Sequence, residues 1–167
     1  FLAPEGYEAV YRSNAVTKHG EHGNALLSRW PVIECRHEDM SDHRFEQRGL
    51  LHAKLLVAGV TVHAIVVHFG LIPSSRVRQT AHLKAYIARE IPLDEPVVVA
   101  GDFNSTFDMR PFRDLLRNGY RDAAEQSGAG LRPTFPADQP VPPFIAIDHV
   151  LTYGCTATSV RTVAIPG

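Results

Sequence analysis

"EPVVVAGDFNSTFD", residues 95–108, runs a short apolar segment into Gly-Asp-Phe-Asn. A β-branched run this short reads as a strand buried on both faces. Side chains alternate along extended backbone, so if the strand continues past Ala100, Asp102 and Asn104 project from the same side. An acid and an amide would then share one small volume. Other strand ends offer comparable groups: His68 closes "HAIVVHFG", Asp148 interrupts "IAIDHVL" and Arg48 opens "RGLLHAKL". A rigid sheet aims short side chains at its strand ends, which is where sites of layered α/β folds gather.

Each of these residues has a plainer reading. Asp and Asn after Gly are common turn formers. His68 could be a hydrogen-bonded edge histidine and Arg48 a solvated charge. Asp148 sits among Ile145, Ala146, Ile147, Val150 and Leu151, where a carboxylate is costly without a partner. Its structural alternative is a salt bridge.

Working outward, residues 7–17 and 24–33 favour extended structure around the turn "KHGEHG", which predicts an antiparallel pair. "RGLLHAKLLVAGVTVHAIVVHFG" reads as a hairpin turning at Ala58 and Gly59, with Leu51, Ala53, Leu55 and Val57 on one core face and His52 and Lys54 opposite. A helix is predicted over 75–91, capped by Ser74 or Ser75, with Val77, Ala81, Leu83, Ile87 and Ile91 inward and Pro92 as the stop. A short helix is expected over 111–118. Then come the Pro-rich loop "LRPTFPADQPVPPF" and two strands, "IAIDHVLTY" and "ATSVRTVAI". Strand hairpins interleaved with helices make the chain α/β or α+β.

The 167 residues, 44% of them hydrophobic, suffice for one globular domain spanning 1–167. With 17 basic and 18 acidic residues the formal charge is −1, so no basic surplus points to a non-specific grip on nucleic acid. Cys35 and Cys155 lack redox or zinc spacing and read as ordinary buried thiols. No apolar run approaches the roughly 18 residues of a membrane span. A histidine metal site is disfavoured, because His63 and His68 face apart on one strand while His19 and His22 lie in a turn. No G-x-S-x-G elbow supports a serine hydrolase.

"GNALLSRWPV", "RGLLHAKL", "VVHFGL" followed by "RVRQ", "VVVAGDFNST", "PTFP" and "IDHVL", in that order, resemble the endonuclease/exonuclease/phosphatase superfamily. The resemblance implies an α/β, four-layered sandwich of two mixed β-sheets flanked by helices, and Mg²⁺- or Mn²⁺-dependent hydrolysis of a phosphate ester. It implies that Asp102 orients and deprotonates water, Asn104 hydrogen-bonds the phosphate, and His68 stabilises its oxygens or protonates the leaving group. Asp148 matches the acid that orients a terminal catalytic histidine. Arg48 and Asn24 fall at substrate-binding positions, and Asp102 and Asn104 at metal-binding ones. The implied substrate is a nucleic acid, a phospholipid headgroup or a small phosphodiester. A monomer is expected, and the sequence leaves the compartment open, with the cytoplasm favoured.

Two pieces of the family pattern are missing. Nothing before Gly6 supplies the early Gln-Glu motif with its metal-binding Glu, and no Ser-Asp-His motif follows "IDHVL". His149 is no substitute, since it neighbours Asp148 and should face the opposite way. The chain is therefore expected to be a partial domain, trimmed at both ends, holding Mg²⁺ feebly on its own. The alternative is a non-catalytic remnant that binds phosphate or a partner.

Overall fold

The turn at Ala58 and Gly59 organises the large sheet. Both residues have positive φ, 50° and 86°, which a two-residue hairpin compatible with strand twist requires. In the computed structural model, which describes residues 3–18, 20–130, 132–137 and 141–163, this turn joins β4 (Gly49–Val57) to β5 (Val60–His68). The strands before them are β1 (Glu8–Thr17), β2 (Gly20–Ser28) and β3 (Val32–Asp39). After them come α1 (Pro73–Glu90), β6 (Val97–Asp102), α2 (Arg110–Arg117), β7 (Arg121–Asp122), α3 (Ala123–Gln126) and β8 (Asp148–Tyr153).

The fold is α/β. A six-stranded mixed sheet runs β3-β4-β5-β6-β8-β7, and β1-β2 forms a separate antiparallel ribbon against β4 and β5. The α1 crossover makes β5 and β6 parallel, whereas β8 returns antiparallel to β6. One sheet face carries Leu50, Ile65, Val67, Val97, Val99 and Leu151 into a core closed by Leu83 and Tyr86 of α1 and Phe112 and Leu115 of α2. Across the sheet, Ala53, Leu55 and Ala64 pack with Leu26 of the ribbon.

Several expectations need correcting. β4 is buried along both faces, because α1 covers the side that carries His52. The ribbon runs through most of "KHGEHG", with Thr17 opposite Gly20; His19 lies outside the described residues. β2 stops at Ser28, whose hydroxyl bonds the Trp30 backbone in a bend before Pro31, so residues 32–39 form a strand of their own. Neither Ser74 nor Ser75 caps α1; Ile72 is the N-cap and Ser75 Oγ donates to Asp42 Oδ2 at 2.6 Å. The inward face of α1 is more polar than predicted: Arg76, Gln79 and Thr80 are buried and Ala81 is exposed. β8 begins at Asp148, and residues 157–163 of "ATSVRTVAI" are irregular, since no neighbouring strand takes up their ladder; Ala164 and Ile165 lie outside the described residues. Cys35 and Cys155 are free thiols, half-buried rather than buried.

A polar chain crosses the core between hairpin and α1. Tyr86 Oη lies 2.9 Å from His52 Nδ1, His52 Nε2 lies 2.8 Å from His63 Nδ1, and His63 Nε2 bonds Glu95. Burial, then the neighbouring His63 and Lys54, hold the His52 pKa down to about 4 from 6.5. A histidine depressed in the folded state favours folding above its unfolded pKa and loses that contribution as acid protonates the unfolded chain preferentially. Stability should therefore fall by up to about 3 kcal/mol between pH 6.5 and about 4 on this account. Urea unfolding of wild type and His52→Gln across that window should show a shallower pH slope in the variant. Equal slopes would remove His52 as the cause.

Candidate active site

His68, Asp102 and Asp148 come together because three adjacent strands put them in one row. His68 is the register partner of Asp102 across the parallel β5–β6 pair, and Asp102 that of Asp148 across the antiparallel β6–β8 pair. Neighbouring strands lie about 4.8 Å apart, so a same-face row is a contact row. His68 Nε2 is 3.5 Å from Asp102 Oδ2.

Both strand ends are anchored by the next residue. Phe69 and Phe103 turn into the core, fully buried, with ring centroids 5.2 Å apart in an edge-to-face contact. Phe69 N donates to Asp102 O at 2.9 Å, and Phe103 N to Ile147 O at 2.9 Å, which carries the ladder one residue past each polar side chain. The alternation predicted from sequence thus holds through Phe103 and then breaks. Asn104 has φ 46°, left-handed backbone that Asn tolerates better than most residues. It reaches the site by this turn rather than by simple strand alternation. Its N–H donates to Asp102 Oδ1 at 2.7 Å and its Nδ2 to Phe69 O at 2.8 Å. With Nδ2 committed, Oδ1 accepts no hydrogen bond among the described residues.

Arg48 is held rather than solvated: its Nε donates to Phe69 O at 3.3 Å and its Nη2 to Glu46 Oε1 at 3.0 Å. Asp148 departs from expectation in the other direction. It is exposed and makes no ion pair among the described residues, so the buried carboxylate inferred from its apolar neighbours is absent. Val150 shares its face and is exposed as well, while Leu151 turns into the core, and Thr134 Oγ1 receives the Asp148 N–H at 3.2 Å. Asn24 is 5% exposed, and its Nδ2 donates to Gly49 O at 2.7 Å and Val66 O at 3.2 Å. Both amide hydrogens are spent tying the ribbon to the large sheet, which leaves no donor for a substrate. His149 faces away from Asp148, as alternation requires. Its Nε2 donates to Ser105 O at 2.9 Å and its Nδ1 lies 3.4 Å from Asp122.

The electrostatics follow from crowding. Burial foremost raises the Asp102 pKa, with Asp148 adding to it and the Asn104 N–H, His68 and Arg48 opposing. Burial first, then Arg48, lowers the His68 pKa against the pull of Asp102, Glu46 and Asp148. Glu46 was not singled out from sequence, and Arg76 and Gln79 entered only within the motif "RVRQ", with no role of their own. A further signal was their spacing of three on the buried face of α1.

For a cation, the row offers hard oxygen donors in Asp102 and Asn104 Oδ1. Among the described residues no group of three or more His, Cys, Asp or Glu is arranged to hold a metal. Two oxygen donors would leave most of the shell of a hard ion such as Mg²⁺ or Mn²⁺ to water and phosphate oxygens.

The sequence pattern of the Endonuclease/Exonuclease/phosphatase family matches residues 2–167, and the chain belongs to that family. It is 42% identical over 97 residues to protein YbhP of Escherichia coli (strain K12), covering 57% of this chain and 38% of YbhP. It is 26% identical over 127 residues to a phospholipase C of Staphylococcus aureus, covering 68% and 38% respectively. The chain thus spans 38% of the length of these curated relatives. An endonuclease/exonuclease/phosphatase structure from Bacteroides vulgatus superposes with TM-score 0.74 at 19% identity, over 88% of this chain and 64% of that one. The mannosyl-6-phosphatase Bt3783 of Bacteroides thetaiotaomicron superposes with TM-score 0.66 at 17% identity, over 89% and 63%. Among the described residues no helix is long and apolar enough to cross a membrane.

Gly101 lets the row form. Its φ is 138°, and an added Cβ would sit 1.9 Å from Val67 O of the neighbouring strand. Gly101→Ala should cost at least about 2 kcal/mol, read by urea unfolding. A neutral substitution would mean that β5 and β6 do not approach this closely.

Proposed function

We propose that the intact protein hydrolyses phosphate esters at the His68–Asp102–Asp148 row. The single observation that carries this reading is the in-register meeting of three strand ends, with the amide of Asn104 and the guanidinium of Arg48 bonded to the same Phe69 carbonyl beside them. Asp102 acts as the base for the attacking water, a role favoured by a carboxyl whose pKa burial raises. Its Oδ1 is fixed by the Asn104 N–H, so the proton goes to a carboxylate of set orientation. His68, whose pKa burial and Arg48 lower, donates a ring N–H to a phosphate oxygen or to the leaving-group oxygen. Arg48 supplies fixed positive charge near the phosphate. Asp148 orients a further catalytic group. Asp102 and Asn104 would hold a Mg²⁺ or Mn²⁺ ion, whose chemistry there would be to neutralise phosphate charge.

Relatives include a phospholipase C and a mannosyl-6-phosphatase, which supports a phosphate ester as the substrate and leaves the alcohol portion open. A phosphate-binding module without turnover is the second reading, favoured by the lack of a three-ligand metal cluster among the described residues.

The intact protein should hydrolyse bis-(p-nitrophenyl) phosphate with Mg²⁺ or Mn²⁺ and lose that activity to EDTA. Asp102→Ala and His68→Ala should each lower kcat by about 10²-fold or more. Full turnover in either variant would overturn the assignment, and phosphate binding without hydrolysis in the wild type would favour the second reading.

A further inference from the structure

The tripeptide Phe69–Gly70–Leu71, directly after His68, is irregular, yet each of its backbone polar groups is engaged. Phe69 N donates to Asp102 O, and Phe69 O accepts from Arg48 and Asn104. Gly70 N donates to Gln79 Oε1 at 2.8 Å, and Leu71 N to Glu46 Oε1 at 2.9 Å. Arg76 Nη1 donates to both remaining carbonyls, Gly70 O at 3.3 Å and Leu71 O at 2.6 Å. Phe69 and Gly70 are buried while Leu71 is exposed, so the backbone groups of the first two need protein partners. Side chains supply most of them.

The choice of Arg76 is costly. It is 8% exposed, makes no ion pair among the described residues, and leaves its Nε without a partner. Its Nη2 faces only Met109 Sδ at 4.0 Å. Glu46 and Asp102 act on it only from beyond contact, and a buried guanidinium without a contacting carboxylate is a poor device for stability alone, since an apolar side chain of similar size would avoid the desolvation. Gly70 shows how tightly the clamp closes: a Cβ there would lie 2.4 Å from Glu46 Oε2. Glu46 also bonds Arg48, so one carboxylate touches both the tripeptide and the site's cation.

We propose that Arg76 and Glu46 are positioning residues of the site, acting by fixing the Phe69 carbonyl that in turn orients the Asn104 amide and the Arg48 guanidinium. The inference rests on the functional reading above for the identity of the site, and on hydrogen-bond geometry for the clamp. Arg76 itself touches no reacting atom.

The test is a double-mutant cycle in the intact protein, using Arg76→Met, which keeps bulk and loses the donors, with Asn104→Ala. Turnover of bis-(p-nitrophenyl) phosphate and urea stability are both measured. Arg76→Met alone should lower kcat on the order of tenfold, with a smaller change in KM. In the Asn104→Ala background, where only the Arg48 arm remains to be disturbed, the same substitution should lower kcat clearly less, by about threefold, while its stability cost is equal in both backgrounds. Arg76→Lys, which retains donors to the two carbonyls, should recover most of the lost turnover. An equal kcat loss with and without Asn104 would assign Arg76 a merely structural role and overturn the proposal. Hydrogen exchange of the Asn104 side-chain amide by NMR gives an answer independent of activity. Arg76→Met should remove its protection, and unchanged protection overturns the clamp. Absence of turnover in the wild type, with that protection still lost in Arg76→Met, overturns the functional reading alone.

Discussion

The site depends on two phenylalanine rings. Phe69 and Phe103 meet edge-to-face in the core, one residue beyond His68 and Asp102. Because side chains alternate, sinking each ring forces the preceding polar side chain to the opposite face of the sheet. The parallel register then sets His68 beside Asp102, and β8 brings Asp148 into the same row. Two hydrophobic anchors thus do what a flexible loop could not: they hold three titratable groups at fixed separation. Phe112 and His149 extend the same aromatic cluster, which ties the segment after Asn104 to α2 and β8.

Holding these groups together costs electrostatic free energy. Two carboxylates sit side by side at the end of β6 and β8, and burial pushes the Asp102 carboxyl up rather than down. Arg48, His68 and the Asn104 N–H offset part of that cost. The left-handed backbone at Asn104 and the positive φ at Gly101 are the backbone conformations that bring these groups into one place. Stability is recovered elsewhere, in a sheet buried on both faces along β4 and in the Asn24 staple between ribbon and sheet.

The strongest periodic segments were legible without coordinates. The Ala58–Gly59 hairpin, the helix between β5 and β6, and the opposite facing of His63 and His68 all follow from period and turn chemistry. Segments whose structure depends on neighbours were not. Residues 157–163 have strand composition and pair with no strand among the described residues, whereas residues 32–39 are charged and still form an edge strand against β4. Local propensity cannot report whether a partner strand exists.

For the site, residue type and strand-end position in the sequence made His68, Asp102, Asn104, Asp148 and Arg48 candidates, each with a plainer structural reading beside it, and the family resemblance supplied their expected roles. Only the tertiary structure decided that Asn24 spends its donors on the backbone, that Asp148 faces solvent, and that Glu46 and Arg76 grip the tripeptide after His68. Those facts turn on which carbonyls lie within hydrogen-bond reach, a property of chain segments far apart in sequence. Alternation and turn chemistry act over a few residues and fix which side a group faces. Register between strands fixes what it meets there.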